Sequence, residues 1–272
     1  MILKMQTLLN NIIQTSLKAG DKIMTFYSDQ DFKLKKDSSP LTEADLQSNE
    51  LIYNDIKSYS KLNILSEEGS KIDWKIRKNW DEFWIVDPLD GTKEFLKKND
   101  EFTVNIALIK NKIPVLGVIY VPAKKLLYYA LKGHGSYKIN IANKKTNNLK
   151  LFEKKNQIFV NDTLKPIIRV VASRSHKSNK LDKWLSKLKN YKLLDAGSSL
   201  KFCMIAEGIA DFYPRFVGSS EWDIAAGYII VQESGGAILT ENNGYLKFNK
   251  KNLRNPNFIA FSKIMKEGNL NL

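Results

Sequence analysis

Acidic side chains gather at four places along this 272-residue sequence: Asp45, the pair Glu67-Glu68, the pair Asp87 and Asp90, and Asp223. Each falls where the hydrophobic pattern ends a strand or begins a helix. In α/β proteins such positions converge on one crevice, because ligand sites open beyond the strand termini. Carboxylates crowded into a crevice repel each other and raise each other's pKa. Hard divalent cations relieve that repulsion, and an oxygen-only set without histidine or cysteine points to Mg²⁺ rather than zinc. The run Asp87-Pro88-Leu89-Asp90-Gly91-Thr92 is the sharpest of the four. Pro88 sets a turn that lets Asp87 and Asp90 fold back on a shared cation, with the Leu89 carbonyl facing it as well. Gly91 allows close backbone approach to a ligand, and Thr92 opens a helix whose first N–H groups suit a phosphate. An acidic cluster beside such a helix start fits metal-assisted phosphoester hydrolysis, in which paired cations clamp the attacking and leaving oxygens.

Taken singly, each cluster has a plainer role. Asp45 and Asp223 could serve as helix-start charges, Glu67-Glu68 as a solvated pair, and Asp87 with Asp90 as a tight turn. Their joint occurrence separates the two readings.

Hydrophobic periodicity names the elements that must position these residues. Leu8, Ile12, Ile13, Leu17 and Ile23 predict a helix over 6–26. A loop at 37–40 follows, and Thr42 caps a second helix with Asp45 in a capping-box position and Leu46, Ile52 and Ile56 on its buried face. Strands are predicted at 62–65, 83–86, 103–109, 113–121 and 126–131. After a lysine- and asparagine-rich stretch at 140–155 come a strand at 167–173, a helix at 179–189, a short strand before Gly197, a helix at 200–207, an extended run at 211–216 and a helix at 222–234. This alternation describes an α/β chain.

Composition narrows the class. With 43% hydrophobic residues the chain can build a large core, and its single cysteine, Cys203, permits no internal disulfide, so a reducing cytoplasm is expected. No apolar run approaches the roughly 20 residues of a spanning helix. The net charge of +14 invites a nucleic-acid reading, yet only five of 43 basic residues are arginine, the side chain that best reads bases and phosphates. Scattered lysines read as solvated surface, so no nucleic-acid polymer is expected and an RNA-binding module is the weaker alternative. Association with the inner face of the cell membrane is the other partner the charge allows.

Three motifs in order, Glu67-Glu68, Asp87-Pro-Leu-Asp-Gly-Thr92 and Trp222-Asp-Ile-Ala-Ala-Gly227, resemble the inositol monophosphatase superfamily of Mg²⁺-dependent, lithium-sensitive phosphatases. Residues 84–95 and 101–108, Ser173-Arg-Ser-His176, Gly197-Ser-Ser-Leu-Lys-Phe-Cys203 and Tyr213-Pro-Arg-Phe216 are similar to one branch, the 3′(2′),5′-bisphosphate nucleotidases of bacterial sulfate assimilation. Lys93-Glu94 stands where inositol phosphatases carry Thr-Asn, whereas Gly218-Ser219-Ser220-Glu221 departs from the nucleotidase pattern.

The resemblance implies a layered αβαβα sandwich of the sugar-phosphatase type, with a metal-binding catalytic half over 1–140 and a nucleotide-binding half over 141–272. It implies hydrolysis of the 3′-phosphate of adenosine 3′,5′-bisphosphate, using roughly two or three Mg²⁺ ions. The alternatives are inositol 1-phosphate and fructose 1,6-bisphosphate. Carried over by position, Glu67, Asp87, the Leu89 carbonyl, Asp90 and Asp223 hold metal, with Glu68 as a further carboxylate of the metal shell. Thr92, hydrogen-bonded to Asp45, orients and helps deprotonate the attacking water, and the scissile phosphate rests on Gly91 and Thr92. Ser173, His176, Ser198, Lys201 and Arg215 hold the adenosine and its other phosphate. For Lys201 and Arg215 the chemistry agrees independently, since a second phosphate needs cationic partners that an inositol hydroxyl does not.

Overall fold

The computed structural model describes residues 2–28, 31–35, 40–146, 149–163, 165–173 and 178–262. The predicted loop at 37–39 and His176 lie outside the described residues. A strand that is apolar on both faces belongs in a sheet covered on both sides. The run Phe83-Trp84-Ile85-Val86 behaves this way: Trp84 and Val86 pack into one core, Phe83 and Ile85 into another. It forms part of β4 (Glu82–Asp90), which lies beside β3 (Asn63–Ser66) in a seven-stranded sheet. The sheet continues through β5 (Thr103–Lys110), β6 (Ile113–Val121), β7 (Leu126–Leu131), β8 (Ser136–Asn140) and β9 (Gln157–Ile158). The pair β3–β4 is parallel and the later neighbours are antiparallel.

Two long helices cover one face. Leu9, Ile12 and Ile13 of α1 (Ile2–Thr25) and Ile52 and Ile56 of α2 (Glu43–Tyr59) join Trp84 and Val86 in a single cluster. On the other face lie α6 (Leu200–Ala206) and α7 (Glu221–Glu233), packed between the first sheet and a second one. That second sheet has five strands in the order β11 (Tyr191–Asp195), β10 (Ile168–Ala172), β12 (Phe212–Arg215), β14 (Phe258–Ser262) and β13 (Gly236–Thr240). Its outer face is covered by Leu181, Trp184 and Leu185 of α5 (Asn179–Leu185). The layers therefore run α, β, α, β, α, which is the expected sandwich. Because α7 lies between two sheets it is apolar nearly all round, with Ile224 through Val231 buried. Gly117 on β6 lets it approach, since a Cβ there would lie 2.5 Å from Ile229 Cγ2 and 3.0 Å from Ala226 Cα.

Several local expectations shift. The strand at 83–86 does not end in a turn at Pro88 but runs on to Asp90, with a register shift between Asp87 and Asp90. Pro88 is tolerated there because a bulge removes the need for its ladder N–H. Leu46 is 42% exposed rather than buried. The inward face at that end of α2 is formed by Ala44, which joins the core, and by Asp45 and Ser48, which carry polar atoms. The helix predicted from Trp222 starts at Glu221, capped by Ser220. Strands β8, β9, β13 and β14, and the short α3 (Trp74–Arg77), had no clear sequence signal. Among the described residues, no helix is long and apolar enough to cross a membrane.

Candidate active site

Every acidic cluster arrives at one crevice from a different element. Glu67 follows β3 directly, its N–H donating to Val86 O at 3.1 Å. Asp87 and Asp90 sit on the bulged end of β4, opposite Asn105 and Thr103 of β5. Ser48 of α2 holds the bulge by donating to Pro88 O at 2.8 Å. Asp223 occupies the third position of α7 and accepts from the Ser220 N–H at 2.8 Å, so a capping box aims it. Carboxylate oxygens of Glu67, Asp87 and Asp223 all lie within 4.8 Å of one another. Sequence separation is no obstacle once the sheet edge and the helix start face each other.

The electrostatics of this cluster are those of a site built around a cation. Asp87 is 1% exposed, and its Oδ1 is buried with no hydrogen-bond partner among the described residues. Burial, then the charges of Glu67, Asp90 and Asp223, holds its carboxyl well above the usual range. Burial with Asp90 and Glu67 close by pushes Asp223 up to about 7. Glu68 is pushed up to about 7 mainly by burial, and Glu67 is raised for the same reason. An orphaned carboxylate oxygen facing other carboxylates fits a hard cation, because only added positive charge satisfies all of them together. Lys35 supplies one such charge from the chain itself, contacting Glu67 Oε1 at 2.8 Å and also Glu68 Oε1. It lies just after β1 (Lys33–Leu34), which pairs with β2 (Pro40–Leu41), and no sequence pattern marked it.

Asp45 is buried at the start of α2, where Oδ2 accepts from the Thr42 N–H at 2.7 Å and from its hydroxyl at 2.5 Å. Its other oxygen, Oδ1, accepts the Thr92 hydroxyl at 3.0 Å. The pairing expected of Thr92 and Asp45 is therefore present. With its one proton directed to Asp45, Thr92 Oγ1 keeps lone pairs free to accept from water. Thr92 opens α4 (Thr92–Leu96), and Gly91 before it has φ +90°, the left-handed region that glycine enters without penalty.

Two adjoining cavities share Glu67, Asp90, Gly91, Thr92 and Asp223. The larger, about 400 Å³, also reaches Asp87, Leu89 and Arg254. The other, about 220 Å³, extends toward Ser173, Ser198, Lys201 and Arg215. Lys201 is 3% exposed and donates to Ser198 O at 2.6 Å and Ala196 O at 3.3 Å, above the Tyr213 ring. Burial, with Arg215 nearby, pushes its ammonium down to about 8. The Arg215 Nε is buried without a partner among the described residues, leaving a cationic donor for an anion in the cavity. Ser198 lines this cavity, and its hydroxyl also donates to Asp90 Oδ2 at 2.7 Å.

Sequence reading missed Lys35, Ser199, Asn105 and Thr103. Ser199 also donates to Asp90 Oδ2, at 2.8 Å, and receives the Asn105 side-chain amide at 2.7 Å. A signal for the last two was available: polar Thr103 and Asn105 interrupt a strand that is otherwise apolar on both faces.

The model of the inositol monophosphatase family matches residues 4–270. The chain belongs to that family. Among its relatives is the "3′(2′),5′-bisphosphate nucleotidase CysQ" of Salmonella typhimurium, 41% identical over 235 residues, covering 85% of this chain and 89% of that protein. The protein of the same name from Buchnera aphidicola is 42% identical over 245 residues, 89% of this chain and 87% of that one. Within the family, the crystal structure of CysQ from Bacteroides thetaiotaomicron superposes with a TM-score of 0.84 at 42% identity, covering 96% of this chain and 99% of that one.

Proposed function

We propose that this member of the inositol monophosphatase family is a Mg²⁺-dependent phosphatase that converts adenosine 3′,5′-bisphosphate to AMP and inorganic phosphate. The observation that carries the reading is the joining of two opposite fields in one crevice. A cluster of converging carboxylates, one of them with an unpartnered oxygen, suits cations and adjoins Lys201 and Arg215, which suit a second phosphate. The relatives named as bisphosphate nucleotidases, at about 40% identity over most of the chain, support the same chemistry.

Glu67, Asp87, the Leu89 carbonyl, Asp90 and Asp223 would hold the metal, roughly two or three ions, with Glu68 beside them. When bound, Mg²⁺ neutralises charge on the phosphoryl oxygens and acidifies water. The remaining work falls to the chain. Water donates one hydrogen bond to Thr92 Oγ1, which passes its own proton toward Asp45 Oδ1, 3.0 Å away, as the water attacks phosphorus, the bond to the 3′ oxygen breaks and that oxygen takes a proton from solvent. Burial raises the Asp45 carboxyl and so favours its accepting that proton. The backbone at Gly91 and Thr92 seats the scissile phosphate, while Lys201, Arg215 and Ser173, with His176, hold the remainder of the nucleotide.

In this reading residues 1–140 supply most metal ligands and 141–272 most nucleotide contacts, with Asp223 crossing between them. The reading also carries lithium sensitivity, a role in sulfur metabolism and a cytoplasmic location, with lysines available to the inner membrane face. Phosphate release from adenosine 3′,5′-bisphosphate, inositol 1-phosphate and fructose 1,6-bisphosphate, with and without Mg²⁺ and Li⁺, tests it. Mg²⁺-dependent, Li⁺-inhibited preference for the nucleotide is expected; faster turnover of either sugar phosphate overturns the substrate assignment.

A further inference from the structure

Asp90 is held at one oxygen by side-chain donors from three other residues. Its Oδ2 accepts the Ser198 hydroxyl at 2.7 Å and the Ser199 hydroxyl at 2.8 Å, with the Asn105 amide at 3.4 Å. Behind those hydroxyls stands β5. Asn105 Nδ2 donates to Ser199 Oγ at 2.7 Å, and the Thr103 hydroxyl bridges Ser198 Oγ at 2.6 Å and Asn105 Oδ1 at 2.9 Å. Asn105 is 1% exposed in a strand whose neighbours Val104, Ile106 and Ala107 are also buried. An amide in such a place is costly unless its bonds are made, and here they converge on one carboxylate.

The loop that delivers the two serines is itself held in an uncommon shape. Ser198 has φ +50°, a left-handed conformation that a residue with a Cβ adopts at some cost. Lys201 fixes the same loop from the other side through Ser198 O and Ala196 O. The arrangement brings adjacent serine hydroxyls to a single carboxylate oxygen.

We propose that Asn105, acting through Ser199 and, by way of Thr103, through Ser198, is a positioning residue that commits one Asp90 oxygen to the protein and leaves the other for a cation. The inference rests on the cation reading given above and not on the identity of the nucleotide. Partners behind a metal ligand typically change metal affinity about 10- to 100-fold when removed. A group that merely satisfies buried polar atoms changes stability alone.

The test is a calorimetric titration of Mg²⁺ into the full-length protein without substrate, beside Asn105→Ala, Ser199→Ala and the double variant. Each single variant is expected to weaken Mg²⁺ binding about 10- to 100-fold. The double variant is expected to do little more than the worse single, because the two side chains act in series. Folded variants that bind Mg²⁺ as wild type does, with only a lower melting temperature, overturn the proposal. Fully additive losses overturn the route through Ser199. Should Asn105→Ala fail to fold, Ser199→Ala alone decides by the same criterion. A wild type that binds no Mg²⁺ at all sinks the cation reading and this inference with it.

Discussion

Asp87 and Asp211 are equally inaccessible, at 1% and 0% exposure, yet their surroundings are opposite. Asp211 accepts from the Arg169 backbone N–H at 2.8 Å, from its Nε at 3.0 Å and Nη2 at 2.6 Å, and from Asn161 Nδ2 at 3.0 Å. Glu221, also fully buried, takes the Asn249 and Lys250 N–H groups and the Lys250 ammonium. Asp87 has nothing equivalent, and Glu67 and Asp223 face it. A buried carboxylate whose charge is met by a paired cation, as Asp211 is by Arg169, is part of the framework; one left unbonded beside other carboxylates, as Asp87 is, suits a ligand. Burial alone does not separate these two acids. Their partners do.

Substitution separates the two regions most strongly. Asp87→Asn should lower Mg²⁺-dependent phosphate release by about 10³-fold, since a catalytic cation is worth several kcal/mol and each tenfold in rate is about 1.36 kcal/mol. Its metal-free melting temperature near neutral pH should hold or rise, because an uncompensated buried charge is gone. A drop in metal-free stability would place Asp87 with Asp211 and end the contrast. Asp211→Ala should do the reverse. Leaving Arg169 unpaired costs about 3–5 kcal/mol in denaturant unfolding, with turnover per folded molecule unchanged.

Mg²⁺ and pH sharpen the contrast further. Asp223 and Glu68 titrate near about 7 in the folded chain and near about 4 when unfolded, so between those values the unfolded state binds fewer protons. These two groups should therefore make stability of the metal-free protein fall as pH rises from about 4 to about 7. Mg²⁺ at a hundred times its dissociation constant should restore about 2.7 kcal/mol, with a larger gain above neutral pH than below it. Thermal melts across pH, with and without Mg²⁺, measure both; a metal-free curve rising through that window contradicts the scheme. The smallest effect is expected at Ser48. Ser48→Ala removes one hydrogen bond to Pro88 O and should cost about 1 kcal/mol of unfolding free energy, with Mg²⁺ affinity little changed.

Much of this was legible in the residues because it is local. Thr42 and Asp45 specify their capping box within a single helical turn, and the structure shows both halves of it. The apolar runs that form β5, β6 and β7 appear within a residue or so of their expected bounds. Leu46 misled because a helical stripe does not say which side faces a site rather than a core. The pairing of β14 between β12 and β13 left no trace in periodicity, since β12 lies on the far side of α7 in the chain. Lys35 stayed hidden among many lysines of the same appearance.

From the sequence alone came the acids, the helix start at Thr92, the helix caps and the α/β alternation, all set by steric and hydrogen-bonding preferences over a few residues. Tertiary structure decided which oxygens meet: Glu67 with Asp223, Asp90 with Ser198 and Ser199, Lys201 and Arg215 on the wall of the same crevice. The reason is physical. A carboxylate's partners are chosen by distances of a few ångströms that only packed layers impose, and the packing of α7 between two sheets brings together residues more than a hundred positions apart.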